Sequence, residues 1–218
     1  MRVLKMLNVF ILFVSLFFSH SSWAEEVNFK TQDNATIYGN YQQRGNHAVL
    51  LAHGAIFDKH SWGEFEQRLI KDNYSVLAID FRGYNKSTLG DSPSALYEDI
   101  LAGVRFLSNK QKIDKVTVLG ASMGAIAASK AAVYAKNGEI DQLILLSPPQ
   151  VYKPEKLKGQ VLFIASEEEN LAKGLESSFK KVTSPKKLEL IPGNAHAQHI
   201  FKTSKAEVLT GIVLGFLK

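Results

Sequence analysis

A serine enclosed by two glycines stands near the middle of the sequence. Ser122 lies in the segment GASMG (120–124), which follows the apolar run VTVL (116–119) and precedes an alanine-rich stretch. In a G-x-S-x-G turn between a strand and a helix, the strained backbone projects the serine hydroxyl above the sheet. Serine is a weak nucleophile at neutral pH unless a base accepts its proton. The pattern therefore predicts a nucleophile that needs a carboxylate and a histidine further along the chain.

Two histidines follow this serine, His196 and His199. His196 lies in the segment IPGNAHAQHI (191–200), after the last predicted strand, where its ring can reach back over the strand ends. We therefore predict His196 as the general base. His199 is predicted to begin the final helix as a capping or surface residue.

Extended and helical segments alternate along the chain from residue 27 onward. The runs VNFKT and ATIYGNY flank a turn at residues 32–34 and predict an antiparallel hairpin. Six further strands are predicted, at 48–53, 75–80, 115–122, 142–147, 160–166 and 187–193, and helices at 61–72, 94–109, 123–137, 170–181 and 199–216. Several strands are continuously apolar, as parallel strands buried on both faces are. The pattern predicts an α/β fold with a mainly parallel sheet of about eight strands.

The N-terminus has the features of a secretory signal. Arg2 and Lys5 precede an apolar stretch at 7–18, and Ser22 and Ala24 fit a small-residue cleavage site. The apolar stretch is shorter than the roughly 20 residues that span a bilayer. We expect residues 1–24 to be a cleaved signal peptide, which leaves no stable membrane anchor. Residues 25–218 would then be a single domain exported to the periplasm or secreted.

Composition and charge exclude several classes of function. The chain has 218 residues, of which 45% are hydrophobic and 22% charged, as in a globular domain. Its formal net charge of +5 falls to +3 without Arg2 and Lys5, and the remaining lysines are scattered, so a nucleic-acid partner is not expected. With no cysteine, neither a disulfide nor a thiolate metal site can form. Because no metal cluster or dinucleotide fingerprint appears either, no cofactor is predicted.

Four parts of the sequence resemble one known family. They are LLAHGAIFDKHSW (50–62), AIDFRGYNKS (78–87), LGASMGA (119–125), and VLFIASEEEN (161–170) together with IPGNAHAQHIF (191–201). Together they resemble the α/β-hydrolase superfamily, specifically small serine hydrolases near the dienelactone hydrolase and esterase branch. The resemblance covers nearly all of the chain after residue 24. It implies an α/β-hydrolase fold and hydrolysis of a small-molecule acyl substrate.

The resemblance also implies further site residues. The acid of the triad would be Glu169, with the adjacent Glu168 as the alternative. Two backbone amides would form the oxyanion hole: that of Met123, after the nucleophile, and that of Ala55, with Ile56 as second choice.

Three positions depart from the usual pattern of this family. Asn85 and Ala197 stand where glycine is common, in the loop after the fourth strand and directly after His196. Ser166 replaces the glycine that usually opens the acid loop. The acid is therefore the triad member that the sequence identifies least firmly.

Four other residues suggest a structural role more than a catalytic one. Asp80 and Arg82 follow the fourth predicted strand and are expected to form an ion pair or a loop brace. Asp99 lies within a predicted helix ahead of the serine. Trp62, on an early helix, is expected to belong to the core.

The connection between the strands 142–147 and 160–166 bears on substrate size. In this superfamily a cap is commonly inserted here, but residues 148–159 include three prolines and are too few for a helical cap. We therefore expect an uncapped, open cleft and short-chain acyl substrates. The alternative function is a non-catalytic binding module with the same fold.

Overall fold

A computed structural model describes residues 24–218, apart from the side chains of residues 172 and 173. Except for Ala24, the predicted signal peptide lies outside these residues. The strands are β1 (Glu25–Lys30), β2 (Thr36–Gln42), β3 (His47–Ala52), β4 (Ser75–Ile79), β5 (Lys115–Ala121), β6 (Gln142–Leu146), β7 (Gln160–Ser166) and β8 (Lys186–Ile191). The α-helices are α1 (Gly63–Lys71), α2 (Leu96–Ser108), α3 (Met123–Tyr134), α4 (Ala172–Lys181) and α5 (Ala206–Leu217). Short 3-10 helices cover Lys59–Trp62, Pro154–Lys156 and Ala197–Lys202.

The strands form one sheet in the order β1-β2-β4-β3-β5-β6-β7-β8. β1 pairs antiparallel with β2 through a turn in which Asn34 adopts a φ of 67°, a conformation that asparagine tolerates. β2 is also antiparallel to β4, whereas β3 to β8 all run parallel. The predicted α/β-hydrolase architecture, with its N-terminal hairpin, is confirmed.

Helices cover both faces of the sheet. Alternate residues of a strand point to opposite faces, so Val118 and Leu119 of β5 enter two different apolar clusters. One cluster lies against α2, α3 and α4, and the other against α1 and α5. Trp62 is 1% exposed and belongs to the second cluster, as expected. Burial on both faces explains why these strands are apolar runs rather than alternating ones.

The start of the last helix differs from the prediction. Residues 197–202 form a 3-10 helix that includes His199, and α5 begins only at Ala206. Thr203 separates the two because its backbone is extended, with a φ of −114° and a ψ of 173°. Its hydroxyl accepts a hydrogen bond from the Lys205 amide, so the helix restarts after it. His199 therefore does not begin the final helix, although it is exposed as predicted.

The connection between β6 and β7 packs onto the core and forms no separate cap. Val151 and Leu157 are buried among core residues next to α3 and β7. The one regular element of this connection is the 3-10 helix Pro154–Lys156. No helix within residues 24–218 is both long and apolar enough to cross a membrane.

Buried ion pairs brace the loop after β4. The Asp80 carboxylate bonds the Lys59 ammonium at 2.6 Å and the Lys59 amide at 2.9 Å. The guanidinium of Arg82, whose side chain is 0% exposed, lies 2.7 Å from Asp99 and 2.6 Å from Asp33. Asp80 and Arg82 thus have structural roles as expected, but each pairs with other residues and not with its neighbour. Together they tie the hairpin turn, the β4 loop and α2 to one another.

Replacing Arg82 tests this brace. The change Arg82→Met leaves the buried Asp99 carboxylate without its counter-ion, so the free energy of unfolding should fall by about 3–5 kcal/mol. The matched control is Arg68→Met, which removes an exposed pair with Asp72 and should cost less than about 1 kcal/mol. Urea denaturation at neutral pH compares the two; equal losses would contradict the structural role of the buried pair.

The same variant should show a pH dependence. Hydrogen bonds from Arg82 hold the pKa of Asp33 well below its ordinary value of 3.8. A carboxylate with a lowered pKa in the folded state stabilises the fold fully above its ordinary pKa, and that contribution is lost as the pH falls further. The share of the difference between wild type and Arg82→Met that comes from Asp33 should therefore be lost below about pH 4. Burial raises the pKa of Asp99 to about 6 even beside Arg82, and removal of Arg82 raises it further, so the share from Asp99 should narrow at higher pH than the share from Asp33.

Candidate active site

The turn from β5 into α3 holds Ser122 in a left-handed conformation. Its φ is 52° and its ψ is −113°, in a region that non-glycine residues rarely adopt. The flanking glycines allow this turn to pack. A Cβ on Gly120 would overlap the Gly124 carbonyl, and a Cβ on Gly124 would overlap the Ala52 carbonyl at the end of β3. The two glycines are therefore required by the packing of β5, α3 and β3.

The structure brings Ser122, His196 and Glu169 into one hydrogen-bonded chain. The Ser122 hydroxyl oxygen lies 2.8 Å from His196 Nε2, and His196 Nδ1 lies 2.6 Å from Glu169 Oε1. An ionised carboxylate can only accept, so Nδ1 carries the ring proton and Nε2 is free to accept from the serine. The arrangement can remove a proton from Ser122, as a general base does.

Of the three adjacent glutamates, Glu169 is the one that bonds the imidazole. Its side chain is 5% exposed, whereas Glu167 and Glu168 are exposed residues. The second oxygen of Glu169 accepts from the Ser166 amide at 3.0 Å and from the Ser147 hydroxyl at 2.8 Å. These hydrogen bonds replace those that the buried carboxylate would otherwise make to water, and they fix its orientation.

Ser147, at the end of β6, joins the acid loop to the histidine loop. While its hydroxyl donates to Glu169, its oxygen accepts from the Ala197 amide at 3.0 Å. Ser147 is fully buried and has a φ of 45°. Ser147 is not predicted from the sequence, where its one visible signal is a position directly after a buried strand, at the same sheet edge as Ser122.

Two departures from the usual glycine pattern fall at positive φ. Asn85 has a φ of 48° and Ala197 has a φ of 50°. Asparagine enters this region at low cost, and its side chain here donates to Asp80 at 3.1 Å. Alanine has no such compensation within its side chain, so the steric strain at Ala197 is offset by the surrounding contacts, including the bond of its amide to Ser147.

The loop after β3 runs beside Ser122. A Cβ on Gly54 would lie 3.5 Å from the Ser122 Cβ. The Gly54 carbonyl is held by His53 Nδ1 at 2.8 Å and by the Phe57 amide at 3.0 Å. In a trans peptide the N–H points opposite to the C=O, so these bonds aim the Ala55 amide away from His53. Among the described residues, the Ala55 amide has no backbone or side-chain acceptor.

The proton on His53 is fixed by its neighbours. Its Nε2 accepts from the Phe81 amide at 3.2 Å, so its Nδ1 must carry the hydrogen that the Gly54 carbonyl accepts. Burial lowers the pKa of His53 below its ordinary value of 6.5, so the ring is neutral near pH 7. His53 thus braces the loop as a neutral donor and acceptor.

Two further side chains hold this loop. The Tyr84 hydroxyl donates to the Ala55 carbonyl at 2.7 Å and lies 3.8 Å from the Met123 sulfur. The buried Gln198 accepts from the Gly54 amide at 2.7 Å. Met123 is the first residue of α3, so its amide has no acceptor within the helix. Neither Tyr84 nor Gln198 is predicted from the sequence, because hydrogen bonds to backbone atoms far along the chain leave no local pattern.

A shallow cleft opens beside the Ala55 amide. Its volume is about 360 Å³. The lining residues come from the loops after β3 and β4, and they are Ala55, Ile56, Phe57, Asp58, Ser61, Tyr84 and Asn85. Within the described residues, no group of three or more histidine, aspartate or glutamate side chains could hold a metal ion.

Solved structures of hydrolases share this fold. An esterase from Pyrococcus furiosus matches with a TM-score of 0.77 and 22% identity, over 90% of this chain and 92% of that chain. A dienelactone hydrolase from Anabaena variabilis matches with a TM-score of 0.73 and 18% identity, over 89% of this chain and 96% of that chain. At identities this low, the TM-scores show that the fold is shared and show nothing further about function.

Curated relatives match about half of the chain. The probable lysophospholipase BODYGUARD 4 of Arabidopsis thaliana is 32% identical over 124 residues, which are 55% of this chain and 28% of that protein. A multifunctional-autoprocessing repeats-in-toxin protein of Vibrio cholerae is 32% identical over 126 residues, which are 54% of this chain and 3% of the toxin. The chain therefore spans only a minor part of the length of either relative.

A family model covers the region that contains the elbow and the acid loop. It is described as serine aminopeptidase, S33, and it matches residues 43–193, which is more than half of the chain. The matched region runs from the end of β2 to the loop that follows β8. With its eight-stranded sheet and its serine elbow, the chain belongs to the serine aminopeptidase S33 family of α/β-hydrolases.

Proposed function

We propose that this protein hydrolyses esters of small carboxylic acids through a covalent acyl-enzyme on Ser122. The observation that carries the proposal is the hydrogen-bonded chain from Ser122 through His196 to Glu169, with distances of 2.8 and 2.6 Å. Membership of a hydrolase family supports the same conclusion. The alternative, a binding module without catalysis, gives no reason for a nucleophile, a base and a carboxylate to meet at one sheet edge.

The proposed reaction proceeds in two halves. Ser122 Oγ attacks the ester carbonyl carbon while its proton moves to His196 Nε2, and Glu169 stabilises the imidazolium that forms. Collapse of the tetrahedral intermediate breaks the bond to the leaving alcohol, which takes the proton from His196. Water then attacks the acyl-enzyme by the same sequence of steps and releases the carboxylic acid and Ser122.

The negative oxygen of each intermediate would be bound by the amides of Met123 and Ala55. Met123 offers the N-terminal amide of α3, where the helix dipole also favours negative charge. Two observations favour the Ala55 amide: the Gly54 carbonyl is held in place, and the amide has no acceptor within residues 24–218. Ile56 is a weaker candidate because it lies one peptide further from Gly54.

Substrate size follows from the cleft. The cleft beside the Ala55 amide is shallow and no cap covers it, so it can surround only a few carbons of an acyl chain. Each buried methylene contributes about 0.8 kcal/mol, so carbons beyond the cleft gain little. We therefore propose short-chain esters, acted on outside the cytoplasm if residues 1–24 direct export. The names of the relatives and of the family suggest lysophospholipids and aminoacyl substrates as the competitors to test.

Removing the nucleophile tests the central step. Ser122→Ala should lower kcat by about 10⁶-fold and leave the unfolding midpoint close to that of the wild type. A fluorophosphonate probe should label the wild type at Ser122, as read by peptide mass spectrometry, and leave the variant unlabelled. A wild type that neither turns over esters nor reacts with the probe would favour the binding module instead.

The acid is tested by two adjacent variants. Glu169→Gln should reduce kcat by about 10³–10⁴-fold, because a neutral amide can hold His196 in the wrong tautomer. Glu168→Gln changes an exposed side chain and serves as the matched control, with kcat near the wild-type value. Steady-state kinetics with 4-nitrophenyl acetate compares them. A greater loss at Glu168 would show that the assignment is wrong by one residue.

Chain-length dependence tests the open cleft. With 4-nitrophenyl esters from acetate to palmitate, kcat/KM should peak between acetate and butyrate, with no increase at the critical micelle concentration. Palmitoyl lysophosphatidylcholine and alanine 4-nitroanilide should be poor substrates in the same assay. A steady rise of kcat/KM to palmitate, or preference for either of the last two compounds, would contradict a short-chain esterase.

A further inference from the structure

We propose that Gln198 is a positioning residue that aligns the oxyanion hole by clamping the loop after β3 to the histidine loop. The inference depends on the proposed function, because it assumes that the Ala55 amide binds the oxyanion. It adds to the mechanism a side chain whose hydrogen bonds, within the described part of the chain, go to Gly54 and Ser61 and not to the triad.

Gln198 is bonded at both ends of its amide. Its Oε1 accepts from the Gly54 amide at 2.7 Å, and its Nε2 donates to the Ser61 hydroxyl at 2.6 Å. The side chain is almost fully buried, with the residue 1% exposed. Gly54 precedes Ala55 and Ser61 lies in the 3-10 helix Lys59–Trp62, so the two bonds hold the loop at its start and at its end.

The partners require an amide at this position. The Gly54 N–H is a donor and needs an acceptor. Ser61 donates its single hydrogen to the Asp58 carbonyl at 2.5 Å, so its oxygen can only accept from position 198. An ionised carboxylate could accept from the Gly54 amide but could not donate to the Ser61 hydroxyl. An aliphatic side chain could do neither. Glutamine supplies the acceptor and the donor together.

The clamp also connects the base to the oxyanion site. Gln198 follows His196 by two residues, and Ala197 between them is held by Ser147. The position of Gln198 is therefore set by the same loop that presents the imidazole. A displacement of about 1 Å at a reacting group can cost about a hundredfold in rate, so loop alignment matters even though Gln198 is not in contact with the reacting atoms.

A sulfur-for-oxygen substitution in the substrate isolates this effect. 4-Nitrophenyl acetate places an oxyanion in the hole, whereas its thiono analogue places a sulfur that accepts hydrogen bonds weakly. The ratio of kcat/KM for the oxygen ester to that for the thiono ester therefore reports how well the hole binds oxygen. A merely structural loss lowers both rates equally and leaves this ratio unchanged.

The test variant is Gln198→Met, which keeps the length of the side chain and removes both polar groups. We expect kcat for the oxygen ester to fall by about 10- to 100-fold, KM to change by less than about threefold, and the oxygen-to-thiono ratio to fall by about tenfold. The control is Gln142→Met. Gln142 is a buried amide bonded to Thr117, Gln160 and the Phe216 carbonyl, away from the serine, and its loss should leave the ratio at the wild-type value.

The outcomes separate this inference from the proposed function. An unchanged ratio in Gln198→Met, or an equal fall in Gln142→Met, would overturn the role of Gln198. If Gln198→Met does not fold, Ser61→Ala removes the far bond of the clamp, and the ratio must then fall in that variant for the inference to stand. A wild type that hydrolyses neither ester would refute the proposed function itself before any variant is compared.

Discussion

The position of one proton on His196 organises the candidate site. A neutral imidazole has one donor and one acceptor, and the Glu169 carboxylate fixes the donor at Nδ1. The acceptor can then face Ser122 only if the loops that follow three strands bring their side chains within hydrogen-bond distance of one another. Parallel strands provide this because their carboxyl ends share one edge of the sheet, where β5 delivers Ser122, β7 delivers Glu169 and β8 leads to His196. The fold and the site are thus consequences of the same strand order.

The elements of this fold follow from local features of the sequence. Apolar runs predict the strands, and the bounds of α1 to α3 lie within three residues of those expected, because their burial patterns are periodic. The predicted start of α5 is wrong, also for a local reason. The extended backbone at Thr203 interrupts a helical pattern that otherwise continues from residue 199. Ser122 and His196 were identified from a motif and from chain order, and Glu169 was chosen over Glu168 by resemblance to a family.

The supporting bonds could not be predicted in the same way. Ser147 and Ala197 are 50 residues apart, and Gln198 lies 144 residues from Gly54. Such pairs meet only when the sheet has assembled, so neither periodicity nor spacing reveals them. The same holds for Arg82, which bonds Asp33 and Asp99 rather than its near neighbour Asp80. Sequence therefore identifies groups that do chemistry more readily than groups that hold them in place.

The left-handed alanine after His196 has a consequence for the entropy of its loop. Glycine would occupy the φ of 50° without strain, but it would also give the unfolded loop many more conformations. With alanine, fewer conformations of the unfolded loop compete with the one in the structure, and this offsets part of the steric cost of the positive φ. The loop therefore loses less conformational entropy when it folds and places the imidazole beside Ser122. A smaller entropy cost favours the conformation in which the imidazole lies 2.8 Å from the Ser122 hydroxyl.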